Sequence, residues 1–136
     1  MKKTIYDTWK FPAAKINPPA ERFIKMVICP ETTGYQNATV LCSHIPPGGT
    51  TGPHTHEADE IIHIDGRGEG FINGQKTLLE TDSVVLAPKG IVHEVRNPSQ
   101  TETLKLFCVL IPAIKLNPLL SDIAAKTREF IEKTDA

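Results

Sequence analysis

The sequence is poor in several things at once, and each shortage removes a class of protein. It has three cysteines, Cys29, Cys42 and Cys108, with no Cys-x-x-Cys spacing. So small and odd a set reads as reduced core thiols and excludes a disulfide framework. Aromatic residues make up only 6% of the chain. Charge of neither sign dominates, since the formal net charge is −1. With no basic patch or charged run, the sequence predicts neither a nucleic-acid partner nor an anionic membrane surface. No apolar stretch approaches the roughly 20 residues needed to cross a bilayer. The start, Met1-Lys2-Lys3-Thr4-Ile5-Tyr6-Asp7, meets charge and polarity too early for a signal peptide. The expected compartment is the cytoplasm. At 136 residues the expectation is a single domain with a real core.

What is abundant is punctuation. Eleven prolines and nine glycines fall between short apolar runs, the pattern of an all-β sandwich or barrel. Phe11 to Pro19 reads as part of an irregular N-terminal arm spanning residues 1–21. Strand-like runs follow at Arg22–Cys29, Thr39–Ile45, Glu60–Asp65, Ser83–Ala87, His93–Arg96 and Leu104–Ile111. Pro46-Pro47-Gly48-Gly49 stops one of them. Gly66, Gly68 and Gly70 are expected to break or bend the chain. Asn73-Gly74 marks a hairpin, because both residues accept positive φ. About eight strands are expected, and Ser83–Ala87 is expected to be buried. Residues 22–112 are the predicted β-barrel. The tail, 113–136, changes period: Leu120, Ile123, Ala124, Thr127, Phe130 and Ile131 recur at helical spacing. Asn117 is placed to cap and Pro118 to open a helix over 119–132, packed on the barrel or on a partner subunit.

Chemistry concentrates in four residues. His54, His56 and Glu60 have equal parity, so an extended strand aims all three at one side. His93, on a second strand-like run, can complete the set. Three imidazole nitrogens and one carboxylate oxygen form a site suited to one divalent transition metal. Four protein ligands on an ion that accepts six leave about two positions for water or substrate. Glu60 reads as a ligand or, alternatively, as a catalytic base beside the histidines. Glu57, Asp59 and His63 have the opposite parity and should face outward. No motif fixes the facing of His44, which reads as a surface histidine or a pocket-lining one. Ile62 and Ile64 share the inward face with Glu60. Cys42 and Cys108 have no partner base and read as packing thiols.

These residues resemble the cupin superfamily. Its first motif is Gly, five residues, His-x-His, three or four residues, Glu, six residues, Gly; here Gly48, His54-Thr55-His56 and Glu60 match, and Gly66 comes one residue early. Its second motif is Gly, five residues, Pro-x-Gly, two residues, His, three residues, Asn. Pro88-Lys89-Gly90, His93 and Asn97 match, while Thr81-Asp82 replaces the leading glycine. The resemblance implies a double-stranded β-helix, or jelly roll, with His54, His56, Glu60 and His93 holding iron, manganese, nickel, cobalt, copper or zinc inside it. It implies a structural role for Asn97. It also implies a homodimer that pairs barrels edge to edge and exchanges N-terminal arms. The expected function is a metal-dependent enzyme on a small oxygen-rich substrate: a dioxygenase, or a lyase, isomerase or decarboxylase. The alternatives are a non-catalytic metal- or ligand-binding module and a purely structural jelly roll.

Overall fold

The computed structural model describes residues 3–134; Met1, Lys2, Asp135 and Ala136, the outer ends of the predicted arm and tail, lie outside it. Nine strands and one long helix follow in order: β1 (Ala14–Ile16), β2 (Arg22–Ile28), β3 (Thr39–Ile45), β4 (Asp59–Asp65), β5 (Gly68–Ile72), β6 (Gln75–Leu79), β7 (Val84–Ala87), β8 (His93–Arg96), β9 (Leu104–Ile111) and α1 (Pro118–Thr134). The strands form a six-stranded sheet, β1-β2-β3-β9-β4-β7, and a three-stranded sheet, β6-β5-β8. Every strand pairing is antiparallel. The molecule has the jelly-roll form, with a C-terminal helix added.

Parity decides what each strand buries. In β4, Glu60, Ile62 and Ile64 are buried, while Asp59, Ile61 and Asp65 are exposed. In β9, Leu104, Leu106, Cys108 and Leu110 point inward and Lys105, Phe107 and Ile111 outward. The inward rows meet in one core, where Met26, Ile45, Ile64 and Leu110 are wholly buried. Each such side chain contributes roughly 1.5–3 kcal/mol through the water it sheds.

Three expectations change. First, the arm is not wholly irregular: β1 pairs with the chain's own β2, Ala14 opposite Ile24. Second, Gly68 and Gly70 do not interrupt the chain but lie inside β5. A Cβ at Gly68 would stand 2.6 Å from Leu104 Cδ2 and 3.1 Å from the Arg96 carbonyl oxygen, so the glycine serves close packing. Third, β7 is an edge strand, with Val84 and Leu86 62% and 63% exposed, so its apolar run is not a mark of burial.

The turns are as the residue types demand. Asn73 and Gly74 take φ of 50° and 79° between β5 and β6, the two-residue hairpin that Asn-Gly favours. Asp82 stands in the stretch where the motif has glycine, and it adopts φ of 72°. Asparagine and aspartate tolerate this region better than most residues. In α1, the Leu120 N–H donates to Asn117 Oδ1 at 2.8 Å, and Pro118 is the first helical residue. Ile123, Ala124, Thr127 and Ile131 are buried as the helix packs on β1 and β2 of the same chain.

Candidate metal centre

His54 and His56 are not on one strand with Glu60, as equal parity had implied. β4 begins only at Asp59. His54 instead forms an isolated antiparallel bridge with His93. The His54 N–H donates to the His93 carbonyl at 3.0 Å, and the His93 N–H to the His54 carbonyl at 2.9 Å. Two residues paired in this way carry their side chains on one face. The chain bends at 57–58 and only then joins the large sheet, where Glu60 lies opposite Ala87 and Leu110. The His56 carbonyl accepts from the Gly90 N–H at 3.1 Å. The four side chains therefore come from both sheets and meet across the space between them.

The meeting is close. One ligand-type atom from each of His54, His56, Glu60 and His93 lies within 4.8 Å of every other. The His93 Nε2 is 2.8 Å from Glu60 Oε1, and the His56 Nε2 is 3.3 Å from the same oxygen. His54 Nδ1 lies 2.8 Å from the Gly52 carbonyl and His93 Nδ1 3.0 Å from the Ile91 carbonyl. A carbonyl only accepts, so each Nδ1 carries the proton and each Nε2 is turned toward the cluster. This is the anchoring that orients histidine ligands at metal sites.

Electrostatics follow from the packing. Burial disfavours the Glu60 anion, but hydrogen bonds from His56 and His93 outweigh it and hold the carboxyl at about 2. Burial disfavours charge on His93 too, yet Glu60 and the Ile91 carbonyl together raise its pKa. For His54, burial prevails and lowers it. The cluster is thus one anion shared among imidazoles, with a proton where a cation is favoured. The donor set fits a divalent transition ion. Opposite ligands on an ion with bonds near 2.1 Å lie about 4.2 Å apart, so small side-chain rotations bring a 4.8 Å spread onto such an ion.

The cluster opens onto a cavity of about 90 Å³, several times the ~10–15 Å³ that a single water needs. Ile24, Leu41, Ile62, Leu106 and Leu110 form much of its wall, and Ile114 and Leu120 close it from the C-terminal segment. Besides Thr51, two polar residues not anticipated from sequence, Arg22 and Ser43, also line it. Parity could have found both: Arg22 alternates with Ile24 and Met26, and Ser43 with Leu41 and Ile45.

The remaining candidates lie elsewhere. Glu57 and Asp59 face outward, Asp59 Oδ1 accepting from the Lys89 N–H at 2.9 Å. His63 points away from the core, its Nε2 2.9 Å from Asp82 Oδ1. His44 sits on the outer face of β3, opposite Phe23 and Lys105, and does not line the cavity. Asn97 is buried and structural: its Nδ2 donates to the carbonyls of Ile45 (2.9 Å) and Glu102 (2.7 Å), and its Oδ1 accepts from the Ser99 N–H. Cys42 and Cys108 are buried free thiols whose pKa values burial raises, and Cys108 lies in the cavity wall.

The fold recurs among solved structures. No curated protein sequence matches the chain. Among solved structures, a predicted oxalate decarboxylase from Thermotoga maritima superposes with a TM-score of 0.71 at 21% identity, over 80% of this chain and 99% of that one. KdgF from Halomonas sp. gives 0.66 at 18% identity, over 81% and 94%. Salicylate 1,2-dioxygenase from Pseudoaminobacter salicylatoxidans, in an adduct with gentisate, gives 0.62 at 17% identity, over 72% of this chain and 26% of that one. At these identities the likeness is one of fold. Residues 42–110, just over half of the chain and inclusive of all four clustered side chains, match the model of the cupin domain, and the protein belongs to that family.

Proposed function

We propose that this protein is a metal-dependent enzyme acting on a small oxygen-rich substrate, as a dioxygenase or as a lyase, isomerase or decarboxylase. The observation that carries the reading is the convergence of His54, His56, Glu60 and His93 on one point at the wall of a small cavity. A site built only to hold an ion has no need of such a cavity. A divalent ion held by these four residues supplies Lewis-acid stabilisation of negative charge on a substrate oxygen. The Gly52 and Ile91 carbonyls keep the His54 and His93 rings in the required orientation. The aliphatic wall keeps water out and so strengthens every electrostatic interaction inside. Glu60 supplies the anionic ligand; the alternative role, a base beside three histidine ligands, separates in the test below.

The test is metal analysis of protein purified without chelator, followed by a screen of small carboxylates and diketones for oxygen uptake or product. One ion per chain with turnover is expected. One ion without turnover of any compound favours the non-catalytic binding module, and no ion leaves the structural jelly roll. If Glu60 is a ligand, Glu60→Gln loses metal; if it is only a base, the variant keeps metal and loses turnover.

The same reading includes a homodimer. Ile61, Val84, Leu86 and Phe107 are exposed on the outer face of adjacent strands β4, β7 and β9, an apolar patch of the kind that pairs subunits. Light scattering should give about 30 kDa, twice the chain's 15.0 kDa; a value near 15 kDa rejects it. Three buried free thiols support a reducing compartment, the cytoplasm. Among the described residues no helix is long and apolar enough to cross a membrane.

A further inference from the structure

Arg22 opens β2, and its side chain lines the same cavity as the four clustered residues. Its Nη1 donates to the Ala20 carbonyl at 3.0 Å. A guanidinium has five N–H donors, and among the described residues no carboxylate lies within ion-pair distance of this one. Burial lowers its pKa, with Cys108 and Glu60 acting in the opposite direction, which places it in the field of the site. Arginine nevertheless stays charged. Ser43 on β3 is only 3% exposed, lines the same cavity and has no hydrogen-bond partner for its Oγ. Buried hydroxyls are normally partnered. A cation without an ion-pair partner and an unpartnered hydroxyl thus line the small cavity that also holds the four clustered residues, with Thr51, Cys108 and aliphatic side chains making up the rest of its wall.

Charge counting sharpens this. A divalent ion beside the single Glu60 carboxylate leaves one net positive charge, and Arg22 adds another. A neutral ligand leaves both uncompensated in an apolar enclosure, which is costly. We propose that Arg22 and Ser43 form a carboxylate subsite, so that the substrate is a compact organic acid with its carboxylate on these two residues and a second oxygen group toward the histidine–glutamate cluster. The cavity of about 90 Å³ limits the body between the two ends to a few carbon atoms. Arg22 lies outside the segment 42–110 that matches the family model. The inference rests on the enzymatic reading for the second oxygen group, but binding tests it separately.

The experiment is isothermal titration of zinc-loaded protein with oxalate, malonate, succinate and glutarate, using succinamide as the uncharged control and re-measuring zinc afterwards. At least one dicarboxylate should bind, and the diamide should bind at least tenfold more weakly. Arg22→Met should weaken binding about 10- to 100-fold at unchanged zinc content, the loss expected for a hydrogen-bonded charge. Arg22→Lys should recover part of it, and Ser43→Ala should weaken binding several-fold. If Arg22→Met does not fold, as judged by circular dichroism, Arg22→Lys and Ser43→Ala decide the matter. Equal binding by wild type and variants overturns the subsite, as does wild type that holds zinc and binds none of the acids. Turnover of a neutral diketone by that same protein would leave the enzymatic reading standing, whereas loss of zinc binding would strike that reading first.

Discussion

Replacing Glu60 by glutamine tests the electrostatic core of the site without any metal. The substitution keeps shape and removes charge. In the chelator-treated protein, Glu60 is held at about 2, against an ordinary 4.5, by its hydrogen bonds with His56 and His93. At about 1.4 kcal/mol for each tenfold, that difference is worth roughly 3 kcal/mol of folding stability at pH 7. Glu60 is buried, so solvent screens little of this. The sign follows from linkage: a group whose pKa is lower in the folded state stabilises above its unfolded value and stops doing so as pH falls through the folded one. The contribution is therefore full above about 4.5, and roughly 2 of the 3 kcal/mol is gone by pH 3. Glu60→Gln should be less stable than wild type by about 3 kcal/mol at pH 7, and the two should converge as pH drops toward 2. Urea unfolding followed by circular dichroism suits the measurement, because Trp9, the only tryptophan, is 74% exposed and reports little of the core. Equal stability of the two proteins from pH 7 to 3 would refute the picture of a carboxylate held as an anion by its histidines.

Other expectations follow from the same contacts. Histidines must be neutral to bind a metal, and Glu60 makes His93 easier to protonate, so metal retention should fall as pH drops below about 6; a flat profile from pH 5 to 8, by metal analysis after dialysis, would count against histidine ligation. Asn97→Ala leaves the Ile45 and Glu102 carbonyls and the Ser99 N–H without their partner, and should lower urea stability by about 2–4 kcal/mol. Gly68→Ala forces a methyl to within 2.6 Å of Leu104 Cδ2 and should cost about 1–3 kcal/mol; no change in the unfolding midpoint would mean that β5 has slack there. Leu86→Lys, on the exposed edge strand, should convert the proposed dimer to a monomer of about 15 kDa by light scattering, with unchanged metal content.

The division between what could and could not be read from the sequence has a physical basis. Period-two alternation exposed β4 and β9 directly, because one face of each is core and the other is not. β7 has no such alternation: its continuous apolar run suggests burial, but Val84 and Leu86 stand on an uncovered edge. Alternation also passes over β1, whose three residues are too few to show a period. The four clustered side chains do converge, though not by way of one continuous strand, since β4 begins only at Asp59. What brings them together is the His54–His93 bridge and the crossing of the chain between sheets at 57–58. Spacing preserved that outcome because a family motif encodes the whole turn, not the parity of a strand.

The far end of the cavity leaves only the parity of β2 and β3 as its trace in the sequence, for a different reason. Arg22, Ser43, Ile114 and Leu120 lie at four separate places in the chain, and no short spacing links them. Arginine at a strand start and serine inside an apolar strand are each ordinary when met alone. They acquire meaning only when β2 and β3 lie side by side and α1 closes over the opening. Chemistry that requires several donors on one ion constrains neighbouring residues and so leaves a local pattern. Recognition of a substrate's distal end requires only one charge here and one hydroxyl there, delivered by whichever strands pass. The reacting end of such a pocket is therefore written in motifs, and its selecting end is written in topology.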